Sequence, residues 1–165
     1  MGQNGAPEPF RRLAYIGEVE LMFAGQFEHT IDDKGRITFP SRFRELLADG
    51  AYLTRGLEKN LVLMPNANYL KISNDMATMN SLDPKVAALS QYLFGNGSRI
   101  EFDSAGRFVI PQFLRDFAEL QTTVTVVGNN TNITLWTPER WAEKQKVFDN
   151  VENVAALFSG LNLSF

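Results

Sequence analysis

Two short stretches of this chain set an aspartate, a glycine and an arginine at a spacing that can present a cation on a tight reversal. They are Asp32-Asp33-Lys34-Gly35-Arg36 and Asp103-Ser104-Ala105-Gly106-Arg107. In each, the aspartate can accept hydrogen bonds from the backbone of its own turn, and the glycine can take up the positive φ that a reversal needs. The arginine then emerges on the solvent side. Such a guanidinium can pair with its own aspartate and be purely structural, or it can donate two parallel hydrogen bonds to a phosphate or to guanine O6 and N7. Asp32, Gly35, Asp103 and Gly106 are therefore read as turn-forming. Arg36 and Lys34 are the leading candidates for contacting DNA, followed by Arg42, Arg107 and Arg44. Lys34, Arg36, Arg42 and Arg44 fall within eleven residues that contain no acid, whereas Arg99, Arg107 and Arg115 share their stretch with Glu101 and Asp103.

Other chemistry finds little support. His29 is the only histidine and the chain has no cysteine, so Ser-His, Cys-His and zinc constellations are all out of reach. His29 sits on the inward side of an expected strand and reads as a half-buried, hydrogen-bonded core residue. Asp32-Asp33 could form a carboxylate dyad, but the second copy has Asp103-Ser104, and turn chemistry accounts for both. No Walker-type or dinucleotide-type glycine loop is present. No catalytic residue, metal ligand, cofactor or small-molecule substrate is expected. The absence of cysteine is in keeping with a reducing cytoplasm, and no apolar run approaches the roughly 20 residues of a membrane span. The formal net charge of −3 over 165 residues gives no global attraction to nucleic acid, so any such binding must be local.

The elements that carry these turns are themselves duplicated. Residues 30–46 and 101–117 follow one seventeen-residue pattern, with Asp32, Gly35, Arg36, Pro40 and Arg44 recurring 71 positions later as Asp103, Gly106, Arg107, Pro111 and Arg115. In the first copy Phe27, His29 and Ile31 alternate with polar residues up to the turn, and Ile37 and Phe39 alternate after it, which predicts a β-hairpin. Pro40 suits a first helical position, and Phe43, Leu46 and Leu47 form a short apolar stripe that Asp49-Gly50 ends. Strands are expected around 51–54 and 61–64. The second copy repeats this order, with Phe108 and Ile110 inward, Leu114, Phe117 and Ala118 as the stripe, and strands around 124–127 and 133–136. Each unit reads β-β-α-β-β. Between them, Tyr69, Ile72, Met76 and Met79 recur at helical spacing, and Asp83-Pro84 caps a second helix bearing Val86, Leu89 and Leu93. Thr137-Pro138 starts another helix, with Trp141, Phe148 and Val151 on one face. These apolar stripes are expected to pack on the β-units, or else on a neighbouring subunit.

At these residues the chain resembles the MraZ family, which is related to AbrB-type swapped-hairpin transcription factors. The resemblance runs from Phe23 to about Trp141. It rests on Glu28-His29-Thr30-Ile31-Asp32, the two D-x-x-G-R turns, Pro40-Ser41-Arg42-Phe43-Arg44, Leu53-Thr54-Arg55-Gly56, Tyr92-Leu93-Phe94, Val126-Val127-Gly128 and Leu135-Trp136. It implies an α+β, mainly β fold: two AbrB-like swapped-hairpin units forming a pseudo-twofold barrel, with helices between and after them. The implied organisation is a flexible N-terminal extension (1–22), a first DNA-binding repeat (23–68), a helical connector (69–96), a second repeat (97–140) and a C-terminal helix and tail (141–165). Met22 stands where the family usually starts, so residues 1–21 read either as a true extension or as a start assigned too far upstream. The resemblance further implies a bacterial, sequence-specific DNA-binding regulator. It would bind repeated promoter boxes as a ring-shaped homo-oligomer, at the head of the division and cell-wall gene cluster that includes its own gene. Double-stranded DNA and copies of itself would be the partners, with no membrane, and the protein would be cytoplasmic and nucleoid-associated. The family's DNA-contacting arginine falls on Arg36, with Lys34 beside it, and Arg107 is its counterpart. The alternative is an AbrB-like protein-interaction module, antitoxin or scaffold in type, without promoter-specific binding.

Overall fold

The computed structural model describes residues 22–162, and the expectations for residues 1–21 lie outside it. The chain is α+β and mainly β. The first repeat supplies β1 (Gln26–Thr30), β2 (Arg36–Thr38), α1 (Ser41–Leu46), β3 (Ala51–Arg55) and β4 (Leu61–Pro65). Helices α2 (Asn66–Ala77) and α3 (Pro84–Gly95) follow. The second repeat supplies β5 (Ser98–Ile100), β6 (Arg107–Val109), α4 (Gln112–Ala118), β7 (Thr123–Asn129) and β8 (Asn132–Trp136). Helices α5 (Pro138–Asp149) and α6 (Val151–Leu157) end the described chain.

Six strands form one sheet in the order β1-β7-β8-β4-β3-β5, and β2 pairs with β6 in a separate two-stranded ribbon. The expected local hairpin of β1 with β2 is therefore corrected: a single bridge, Ile31 to Ile37, joins those arms. β1 instead pairs with β7 of the second repeat, and β5 pairs with β3 of the first. Period-2 alternation marks a strand and its buried side, but it carries no information about which strand lies alongside. The swap preserves the symmetry. The sheet order reads the same from either end once each strand is exchanged for its repeat counterpart. In the ribbon the pair Ile37–Phe108 is self-equivalent at the offset of 71, and in the sheet Val62–Thr134 is self-equivalent at 72. The pseudo-twofold axis passes through both pairs.

Ribbon and sheet close on one core. Ile37, Phe39, Phe43, Leu47, Leu53, Leu63, Phe108, Ile110, Leu114, Val126 and Leu135 all belong to a single buried cluster. Phe39 packs edge-on against Phe108 at 5.0 Å, so a buried ring from each repeat meets near the axis. Burying one such side chain contributes about 1.5–3 kcal/mol, so this contact helps hold the two repeats together.

The helices depart from expectation in detail. Pro40 is the residue before α1, with φ −54° and ψ 138°, and Ser41 is the first helical residue. Asp83 and Thr137 cap α3 and α5 as expected, accepting from the backbone N–H of Lys85 and Arg140. Tyr69 of α2 stacks on Tyr52 of β3 and meets Phe94 of α3 edge-on, and the Thr54 hydroxyl donates to the Leu93 carbonyl at 2.8 Å. Met79 lies beyond the end of α2. Asn150 interrupts the C-terminal helix, because its side chain accepts from Asn153 N–H and starts α6 afresh. Val151 is consequently 79% exposed and shares no buried face with Trp141. His29 is half-buried beside Phe39 as expected, but its Nε2 has no hydrogen-bond partner among the described residues.

Candidate nucleic-acid interface

The first turn is organised by one carboxylate. Asp32 Oδ1 accepts from the backbone N–H of Lys34 and of Arg36, each at 2.9 Å, and Oδ2 accepts from Arg36 Nε at 2.7 Å. The Gly35 N–H closes the reversal onto the Asp32 carbonyl at 3.0 Å. These donors hold the Asp32 carboxyl below its ordinary range, the Arg36 backbone N–H most of all, then the Arg36 side chain and the Lys34 backbone. The second turn is a close copy. Asp103 accepts from Ala105 N–H (3.0 Å), Arg107 N–H (2.9 Å) and Arg107 Nε (2.9 Å), and its carboxyl is lowered chiefly by the Arg107 backbone N–H. Gly35 and Gly106 have φ of +77° and +74°, the left-handed region a glycine enters without a Cβ penalty.

The two readings of the arginine turn out to be compatible. Arg36 spends only Nε on Asp32, and among the described residues its two terminal nitrogens make no hydrogen bond. The pairing thus aims the guanidinium and leaves its forked end able to donate. The ribbon arranges the aim. Register pairs Arg36 with Val109 and Thr38 with Arg107, so those four side chains share its outer face while Ile37 and Phe108 point into the core. Arg36 and Arg107 stand diagonally across the pseudo-twofold, and an antiparallel ribbon of this kind is narrow enough for a major groove.

The remaining candidates separate. Lys34 is exposed on the turn and Arg42 is exposed on α1, its guanidinium 6.0 Å from the Phe43 ring centre. Arg44 turns inward: its Nε donates to the Phe39 carbonyl at 3.1 Å, and its guanidinium lies over Gly106 in the other repeat. Arg115 lies likewise over Gly35. Residue spacing did not reveal these crossings, although the joint recurrence of Gly35 with Gly106 and of Arg44 with Arg115 was the available signal. In the second copy, Ala105 and Phe113 occupy the positions of Lys34 and Arg42. Among the described residues no cluster of His, Asp or Glu could hold a metal ion, and no helix is long and apolar enough to cross a membrane.

A duplicated, strand-swapped β-protein whose paired turns set arginines on one ribbon is an AbrB-like protein. Comparison with known proteins narrows this. The family model for MraZ proteins, described as antitoxin-like, matches residues 22–91 and 93–157. The protein named transcriptional regulator MraZ of Roseiflexus castenholzii is 36% identical over 138 residues, covering 84% of this chain and 94% of the relative. Its namesake in Thermomicrobium roseum is 36% identical over 126 residues (76% and 89%), and that of Finegoldia magna 31% over 141 residues (86% and 97%). The chain belongs to the MraZ family, a family of transcriptional regulators and not of enzymes.

Proposed function

We propose that this chain is a sequence-specific DNA-binding regulator that reads repeated promoter boxes, and that Arg36, Lys34 and Arg42 form its principal contact surface with Arg107 assisting. The observation that carries the reading is the aimed but open guanidinium of Arg36, set on a two-stranded ribbon beside two exposed cations. Arg44 serves chiefly by bracing the opposite turn. One ribbon makes too few contacts for tight binding, and phosphate contacts alone give only salt-sensitive, nonspecific affinity. A ring of copies engaging successive boxes would supply effective concentration and so lets an acidic chain bind an acidic polymer. The target would lie upstream of its own gene in a division and cell-wall cluster, and the working location would be the cytoplasmic nucleoid.

The test is retention of the chain's own upstream DNA across a salt titration. The logarithm of the binding constant should fall with the logarithm of salt by about 0.9 per phosphate neutralised. An affinity unchanged by Arg36→Ala would remove that residue from the contact surface. The antitoxin-like description of the family model and the exposed Val151, Leu157 and Phe158 favour a second reading, a protein-interaction module. One stoichiometric protein partner, with no DNA retained at low salt, would decide for it.

A further inference from the structure

Arg115 belongs to α4 of the second repeat, yet its guanidinium covers the turn of the first. A Cβ built on Gly35 would stand 2.6 Å from Arg115 Cζ, and one on Gly106 would stand 2.5 Å from Arg44 Cζ. Each turn is therefore roofed by the arginine of the other repeat, and both glycines are buried by that roof. The main chain follows the same crossing: the Gly35 carbonyl accepts from Ile110 N–H at 2.9 Å, and the Gly106 carbonyl from Phe39 N–H at 3.5 Å.

The two roofs are fastened differently. Arg44 Nε donates to the Phe39 carbonyl, but Arg115 Nε is buried without a partner among the described residues, although Ile110 occupies the position equivalent to Phe39. Arg115 is held from the solvent side instead. Its Nη2 donates to Gln112 Oε1 at 2.7 Å, and Gln112 Nε2 donates to Asp116 Oδ1 at 2.7 Å. The first repeat has Ser41 and Glu45 at those places and forms no such chain. With Nε enclosed and one terminal nitrogen engaged, Arg115 is poorly disposed to meet a phosphate. It is well disposed to fix the peptide between Lys34 and Arg36.

We propose that Arg115 is a positioning residue for the DNA contacts of the first repeat. By filling the space over Gly35, its planar guanidinium holds Lys34 and Arg36 at the angle that binding needs, so the second repeat contributes to recognition without touching DNA there. The proposal rests on the DNA-binding reading above.

The experiment uses the full chain, the duplex upstream of its own gene and a scrambled duplex of equal length. It compares wild type, Arg115→Met, Arg36→Ala and the double variant across salt. Arg115→Met should weaken binding to the upstream duplex about tenfold, keep the salt slope of wild type, and add less than about twofold once Arg36 is already alanine, because coupled residues are not additive. Equal losses in both backgrounds, or a slope reduced by about 0.9, would overturn it, the latter by making Arg115 a direct phosphate contact. If Arg115→Met does not fold, Arg115→Lys keeps the charge without the plane. It should show the same loss, and full affinity in that variant overturns the proposal. Amide exchange of the Lys34 and Arg36 N–H groups supplies a readout that needs no DNA. Those two should exchange faster in Arg115→Lys while the β3 and β4 amides stay unchanged, and unchanged turn amides overturn the proposal. Wild type failing to prefer the upstream duplex would sink the DNA-binding reading itself, a result separable from the exchange data.

Discussion

Asp32 and Asp103 organise their turns with the same three hydrogen bonds, at 2.9, 2.9 and 2.7 Å in the first and 3.0, 2.9 and 2.9 Å in the second. The surroundings differ. Lys34 and Arg42 of the first copy are Ala105 and Phe113 in the second, and Arg99 and Glu101 lie 3.9 Å apart just before the second turn. Duplication has kept what a reversal and a shared ribbon require, which is the aspartate, the glycine and the buried alternation. It has left free what only a partner would feel, which is net positive charge. Geometry marks both turns as arginine-presenting devices, and the difference in charge is why we propose the first as the principal DNA contact.

The comparison can be broken first at its common foundation. Phe108 lies on the pseudo-twofold, packed on Phe39 and Phe102. Phe108→Ala should destabilise the fold by about 3–5 kcal/mol, measured by denaturant unfolding, and should weaken both turns together. A loss confined to the second turn would mean the ribbon is not the shared support described here.

A smaller effect tests the charge argument directly. Placing the first copy's cations on the second, by Ala105→Lys with Phe113→Arg, should steepen the salt dependence of DNA binding by up to about 0.9 for each new phosphate contact. Unfolding temperature should barely change, because both positions are exposed. An unchanged salt slope would show that the second turn does not approach the DNA.

The smallest effects concern pH. Burial lowers the pKa of His29 from its ordinary 6.5, so the folded state takes up its proton less readily than the unfolded chain. Stability should thus be full above 6.5 and decline as pH falls through that value towards the lowered one. His29→Ile, which copies Ile100, should remove this phase. The Asp32 and Asp103 carboxyls are also lowered, from 3.8, so their contributions persist above that value and disappear as acid protonates them. Asp32→Asn and Asp103→Asn should each blunt this second, more acidic phase. Equal acid profiles for wild type and both asparagine variants would mean that the turns are not held by these carboxylates.

Much of this was legible because it is local. The Asx turns, the caps at Asp83 and Thr137, and the β7–β8 reversal at Asn130, with φ of +61°, depend on neighbours in sequence and follow from residue types. The buried residues of β2 and β6 also followed from their alternation, whereas Phe27, expected inward on the edge strand β1, is 37% exposed, and β7 buries four consecutive residues, Val124 to Val127. What escaped was long-range. Nothing in the Phe27-His29-Ile31 pattern indicates that β1 lies against β7, since Val124 and Val126 offer the same apolar complement as a local partner would. The inward turn of Arg44 escaped for a related reason. An arginine near other cations reads as part of a basic surface until the chain crossing that brings Gly106 beneath it is known. The C-terminal face failed on a single residue, because Asn150 can either continue a helix or cap the next, and here it caps.

The central claim is that two geometrically alike turns do unequal work, and the most direct measurement is a side-by-side titration of Arg36→Ala and Arg107→Ala against the upstream duplex at matched salt. A good bidentate arginine contact contributes about 1–3 kcal/mol of discrimination. Arg36→Ala should therefore lower affinity by about ten- to a hundredfold, while Arg107→Ala should lower it by less than about threefold. Equal losses, or a larger loss from Arg107→Ala, would contradict the account.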